Sequence, residues 1–399
     1  MVRESLVRAL LRGEDTCAPS ADWISLANGW GALPRLRQRV GKLATPPEPD
    51  LLAEIERLYL DGYVRSVLQI RAALDVFAAF EREKLPVVGF KGIASLAVLY
   101  GSPECRVILD ADLLIAEADL TRAVGVLGEL GFRPEVSGSL TEYVDFVRHA
   151  PGFGGNEELA LHNDRGCTID LHWRLGRGLD TQAILDRRRP ATLLGRCLSV
   201  VSDGDGVLLC AHHSLRNHFS PDRIMRDLFD MELWCERILK SGFWENTWRE
   251  AVARGLAVSL LALTLILAEY QPDGAGAGGA AELDKTAAAL GKATSGEQRG
   301  SAGRLVALFM AQVREGSFER DLLYLFHSSE LKQMLGGILS GGRRHVAMAR
   351  SMDAALAGEP TTFAHRMAVL AQSLGRLRPR HIGMLRALAR TKDEFAKLG

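Results

Sequence analysis

The chain has 399 residues, 47% of them hydrophobic and 25% charged, an ordinary globular composition long enough for two or three domains. Lys plus Arg and Asp plus Glu number 49 each, so with no net positive charge no binding of long nucleic acid through phosphates alone is expected, whereas a small nucleotide or a peptide remains compatible. The six cysteines, at 17, 105, 167, 197, 210 and 235, show no CxxC spacing, which argues against a disulfide framework and for reduced thiols in a cytoplasmic protein.

Met1 to Cys17 is broken by charges and lacks an apolar signal core. Residues 5–43 read as short helices ending near Gly41, and Thr45-Pro-Pro-Glu-Pro49 is a stiff break. Leu51 to Lys84 then carries apolar residues at helical spacing, predicting one long helix, or two with a kink near Gly62. After Pro86 the pattern changes. Val87–Phe90 is a short strand, Lys91-Gly92 opens a helix running from Ile93 to Tyr100, and Gly101-Ser-Pro103 ends it. Val107 to Ile115 reads as a buried strand, and a helix from Glu117 to Leu130 stops at Gly131. Tyr143–Arg148, Glu157–His162 and Cys167–Arg174 alternate like strands.

Residues 85–200 therefore predict an α/β unit with a mixed sheet, following an N-terminal helical region over 1–84. From Asp205 onward the chain reads helical, with segments Leu208–Phe219, Asp222–Leu239 and Trp244–Tyr270 packing on the core within 201–271. Its longest uncharged run, Gly255 to Ala268, is shorter than the roughly 20 residues a membrane helix needs, so no membrane span is expected. A flexible linker over 272–303 and a C-terminal helical region over 304–399 complete the organisation. Basic clusters at Arg35/Arg37/Arg39, Arg187–Arg189, Arg343-Arg344 and Arg376/Arg378/Arg380 read as solvated helix faces.

Asp110-Ala-Asp112 is the most informative feature. Two ionised carboxylates inside an apolar run are costly unless a cation or hydrogen bonds compensate them. In a strand they share one face, about 7 Å apart by the rise per residue. That suits carboxylates sharing one or two Mg²⁺ ions and makes metal-assisted phosphoryl or nucleotidyl transfer the leading idea. Upstream, Phe90-Lys91-Gly92-Ile93 is a strand-to-helix turn whose N–H groups can hold phosphate beside the Lys91 charge, or an ordinary βα turn. Arg106 is either a phosphate contact or a salt-bridge partner that orders the aspartates. Downstream, Asp170 and His172 share one strand face. A carboxylate there would complete a metal site or take a proton from an attacking hydroxyl; the alternative is a purely structural strand. His212, His213 and His218 lie near Asp227 and Asp230 on predicted helices. The adjacent pair points about 100° apart and cannot easily bind one metal, which leaves acceptor or base binding, or structural contacts.

Taken together, Leu85–Gly92, Tyr100-Gly101-Ser-Pro103, Arg106, Asp110–Ile115 and Ile169–Leu175 resemble the uncharacterised bacterial nucleotidyltransferase family of the polymerase-β-like superfamily. Asp22-Trp23 with Leu33-Pro34, and Leu208–His213 followed by Arg226-Asp227-Leu228, resemble its helical segments, so the likeness extends over residues 20–270. The resemblance implies an α+β fold: a nucleotidyltransferase core with a mixed sheet, flanked by N-terminal and C-terminal helical regions. It implies Mg²⁺ held by Asp110, Asp112 and Asp170, with Lys91, Gly92, Arg106 and His172 toward the nucleotide. An NTP, ATP being favoured, would pass its NMP group to an acceptor hydroxyl and release pyrophosphate, the unidentified acceptor being preferentially a small molecule or peptide, with a protein or RNA end as further options. The superfamily's Gly-Ser pair at the turn is Lys91-Gly92 here, and Gly101-Ser102 follows the helix rather than opening it. Alternatives are a non-catalytic nucleotide-sensing or partner-binding protein, a toxin-like transferase, or a natural-product tailoring enzyme.

Overall fold

The computed structural model describes residues 2–13, 19–43, 46–134, 158–176, 178–217, 219–270 and 294–315. Three short helices come first, α1 (Val2–Arg12), α2 (Ala21–Gly29) and α3 (Leu33–Val40). They lead into α4 (Pro49–Arg82), which is continuous through Gly62 over its 34 residues. Proline at its first position and Asp50 in its first turn suit a helix start, where the leading N–H groups have no partner and the dipole favours negative charge. Its buried stripe, including Ile55, Ile70, Leu74, Phe77 and Phe80, joins the main hydrophobic core.

The sheet is built from β1 (Val87–Phe90), β2 (Ala111–Ile115), β3 (Glu158–His162), β4 (Thr168–His172), β5 (Arg189–Leu193) and β6 (Arg196–Val200), in the order β3-β4-β2-β1-β6-β5. It is mixed: β2 runs antiparallel to β1 and parallel to β4, and β1 runs parallel to β6. The central strands β1 and β2 are buried throughout, as continuous apolar runs require. Between them run α5 (Lys91–Ser95) and a π-helical turn, Leu96–Tyr100, closed by Gly101 at φ 70°. A 3₁₀ turn at Glu117–Asp119 leads into α6 (Leu120–Glu129), and Gly131 at φ 86° follows it.

The helical half comprises α7 (Thr181–Asp186), α8 (Asp203–Arg216), α9 (Pro221–Ser241), α10 (Trp244–Ala253), α11 (Ala257–Glu269) and α12 (Gly296–Glu315). No helix among the described residues is long and apolar enough to cross a membrane. Cys105, Cys167, Cys197, Cys210 and Cys235 are free thiols.

Several expectations need correction. The aspartate strand starts at Ala111, not at Val107. Strand β1 ends at Phe90, whose register partner is Asp112, so residues 107–110 have no ladder to join. The Ile108 N–H instead donates to Ser66 Oγ of α4 at 2.9 Å, with Val107 and Ile108 buried and Leu109 half exposed. Arg187–Arg189 is no helix face. Arg189 opens β5, and the β5–β6 hairpin turns at Leu194-Gly195 with φ of 48° and 75°, the positive-φ pair of a tight two-residue hairpin turn. Arg187 and Arg189 pair with Asp205 and Asp203. The segment 244–270 is two helices broken at Arg254-Gly255, and α12 begins at Gly296, inside the stretch read as linker. The strand expected at Tyr143–Arg148, most of the linker, and the C-terminal region beyond 315 with its two arginine clusters lie outside the described residues.

Candidate functional site

Pairing of β2 with β4 brings the acidic residues together. Asp112 stands opposite Asp170 in parallel register, and Leu114 opposite His172. On the other side Asp112 faces Phe90, the last residue of β1 before the turn into α5. Helix α4 braces both acidic segments. Ser66 holds the approach to Asp110, and Gln69 clamps the first residue of β4, donating to the Thr168 carbonyl at 2.5 Å and accepting from its N–H at 2.8 Å.

Lys91 takes a left-handed backbone, φ 47°, a conformation that costs a non-glycine residue of order 1 kcal/mol or more. The contact that holds it there is its ammonium, 2.5 Å from Asp112 Oδ1. His172 Nε2 lies 3.2 Å from the same oxygen, its Nδ1 lies 3.3 Å from Glu158 Oε2, and its ring meets Phe90 edge-on at 4.9 Å. Gly92 has a packing reason to be glycine: a Cβ would lie 2.7 Å from Arg106 Nη1 and 3.1 Å from Ile108 Cδ1.

The electrostatics divide the three aspartates. Burial alone would raise the Asp112 carboxyl, but Lys91 and the His172 hydrogen bond outweigh it and hold the group below the usual carboxylate range. Asp110 is raised by burial and by Asp112, against the pull of Arg226, Lys91 and Arg106. Asp170 is pushed up to about 8 by burial, then by Asp112, Asp110 and Glu158. One lysine thus serves a field of four carboxylates.

The sign of that shift is testable. A carboxyl raised from its ordinary value to about 8 binds a proton in the folded state that the unfolded chain gives up. Its stabilising protonation is complete below the unfolded value and is lost as pH rises toward 8. In the presence of a chelator, wild-type stability relative to Asp170→Asn is expected to fall between pH 5 and pH 9, read by urea unfolding at each pH, because asparagine mimics the neutral acid throughout. A difference that stays flat with pH would show that Asp170 is already ionised at neutrality.

The donor set fits a hard divalent cation, since three aspartates offer oxygen ligands of the kind Mg²⁺ takes. Their mutual repulsion raises two of them, which is the local charge deficit a cation relieves. Among the described residues no three His, Cys, Asp or Glu side chains converge tightly enough to hold a metal as they stand. The Lys91 ammonium occupies Oδ1 of Asp112 in this arrangement.

One predicted site residue, Arg106, is placed differently from expectation. Arg106 orders the neighbourhood of the aspartates without bonding them. Its guanidinium grips Asp230 of α9 through Nε at 2.9 Å and Nη2 at 2.8 Å, and the Tyr100 hydroxyl donates to the same carboxylate at 3.0 Å. Of the histidines, His213 bonds Asp227 at 2.5 Å through Nδ1, and His212 is buried. His218 lies outside the described residues. The sequence reading missed Glu158, whose signal was its place in the alternating strand opposite His172, and named Arg226 only within the Arg226-Asp227-Leu228 segment, without a site role.

A family model described as uncharacterised nucleotidyltransferase matches residues 20–272, well over half of the chain. Searches of curated proteins and of solved structures each return no match. The matched region contains α2 to α11, the whole sheet, and Lys91, Asp110, Asp112 and Asp170. The α+β architecture with its mixed sheet accords with that match, and the chain belongs to this nucleotidyltransferase family.

Proposed function

We propose that the protein is a Mg²⁺-dependent nucleotidyltransferase that moves an NMP group from an NTP to an acceptor hydroxyl. The observation that carries this reading is the in-register pair Asp112 and Asp170 on adjacent parallel strands, with Lys91 of the strand-to-helix turn bonded to Asp112. Asp110, Asp112 and Asp170 would hold the ion. Bound there, Mg²⁺ supplies neutralisation of the charge on the phosphates.

The chain's own groups do the rest. The acceptor oxygen bonds to the α-phosphorus as the bond to the bridging oxygen breaks, and pyrophosphate leaves with that electron pair. The hydroxyl proton passes to a carboxylate, and Asp170, standing opposite Asp112 across the β2–β4 pair, suits that role. Lys91 has its charge at Asp112 and at the start of α5, a position from which it serves the phosphates once the carboxylates are otherwise neutralised. His172 meets Asp112 on the same oxygen as Lys91 and is itself held by Glu158, so it positions the carboxylate. ATP is the favoured donor and a small molecule or peptide the favoured acceptor, consistent with the balanced charge of the chain.

Calorimetric titration of each NTP with Mg²⁺ tests the reading. Wild-type protein is expected to bind one or more NTPs with micromolar affinity only when Mg²⁺ is present, and the Asp110→Ala/Asp112→Ala double variant is expected to lose that binding. Failure of any NTP to bind well-folded protein would overturn it in favour of a nucleotide-free scaffold.

A further inference from the structure

The helical half of the molecule carries basic and polar groups that the site as described leaves unused. Arg226 and Asp230 are one turn apart on α9 and so share a face. Asp230 binds Arg106, four residues before Asp110. The same face therefore carries Arg226 alongside the segment that leads to Asp110, and Arg226 acts electrostatically on that carboxylate. Two other arginines nearby are paired, Arg35 with Glu232 and Arg106 with Asp230. Arg226 is half-buried and makes no hydrogen bond or ion pair among the described residues. Its stem is held in place at the α2–α3 turn, where Gly31 has φ 64° and a Cβ would lie 2.8 Å from Arg226 Cδ.

His212 is the second observation. It is 7% exposed and has no hydrogen-bond partner among the described residues. It shares a face of α8 with Arg216, one turn on, and α8 packs against α5, which Lys91 begins. Burial first, then Arg216, His213 and Lys91, keep its ring neutral. A neutral imidazole keeps one N–H to donate, and no protein group among the described residues takes it.

We propose that Arg226 and His212 form the anion-binding half of this site and hold the β- and γ-phosphates of the nucleotide, a role that rests on the nucleotidyl-transfer reading above. The two halves then divide the work. The carboxylates face the α-phosphate and the acceptor, and the arginine fork with the imidazole N–H takes the departing pyrophosphate.

The test is calorimetric titration with inorganic tripolyphosphate, with ATP and with adenosine, all in Mg²⁺, on wild type, Arg226→Gln, Arg226→Lys, His212→Gln and Asp112→Asn. Arg226→Gln is expected to weaken tripolyphosphate and ATP by about 10- to 100-fold, the value of a charge-assisted hydrogen bond. Adenosine binding should not change. Arg226→Lys should recover part of the loss by keeping the charge without the fork. His212→Gln should weaken both phosphates several-fold. Unliganded thermal stability should be unchanged in Arg226→Gln, which breaks no ion pair. Unaltered ATP and tripolyphosphate binding in Arg226→Gln, with ATP still weakened in Asp112→Asn, would overturn this inference and leave the transferase reading standing. Arg226-dependent phosphate binding that ignores Asp112→Asn and supports no transfer would keep the anion site and remove the transferase. A folded wild type that binds none of the phosphates would overturn both.

Discussion

Replacing Asp112 by asparagine is expected to lower nucleotidyl transfer by about 10³-fold or more, because a metal clamp supplies several kcal/mol and each ~1.4 kcal/mol is a factor of ten in rate. Asp112 is the sharpest position at which to test the site. It is 3% exposed, it is central in the sheet, and Lys91 and His172 meet on one of its oxygens. Asparagine keeps the shape and an acceptor oxygen for both partners and removes only the charge. The Lys91 ammonium keeps Asp110 and Glu158 as nearby negative neighbours, so the fold should survive the change. Release of pyrophosphate from the NTP, followed alongside circular dichroism, separates chemistry from folding. Full activity in a folded Asp112→Asn protein would mean that transfer takes place elsewhere on the chain.

Arg106→Ala is expected to cost about 3–5 kcal/mol of stability, the usual result of removing one partner from a buried ion pair. Arg106 is 7% exposed and Asp230 2%, and alanine leaves the Asp230 carboxylate buried with only the Tyr100 hydroxyl to serve it. The double variant Arg106→Met/Asp230→Leu removes both charges and is expected to recover most of the loss, since an apolar pair of similar volume replaces a buried salt bridge at little net cost. Urea midpoints of the three proteins, with equal slopes, measure this. The consequence reaches the site, because Arg106 ties the segment before Asp110 to α9. Equal destabilisation of single and double variants would show that the loss lies in packing around Gly92, which Arg106 also touches.

The local signals were strong where one short segment decided its own structure. Turn residues marked the ends of the π-helical turn after α5 and of α6, where Gly101 and Gly131 both have positive φ. Apolar spacing marked the long helix and the strands at 87–90, 158–162 and 168–172. Period-two alternation placed Asp170 and His172 on one face, and the apolar flanks of Asp110 and Asp112 singled them out as costly carboxylates. The hairpin at 189–200 was missed because its strands are short and its arginines mimic a solvated helix face, although Leu194-Gly195 was the turn that gives it away.

The sequence by itself picked out the candidate residues: a lysine at a strand-to-helix turn, two aspartates around Ala111, and an aspartate and a histidine two residues apart in a later strand. Only the tertiary structure decided who meets whom. That Asp112 faces Asp170, that Lys91 bonds Asp112 rather than solvent, and that Arg106 belongs to Asp230, 124 residues away, follow from sheet order and helix packing. The physical reason is that periodicity specifies the face a side chain occupies, whereas an ion pair depends on which face of which distant element is packed against it, and that is settled by burying the whole core at once.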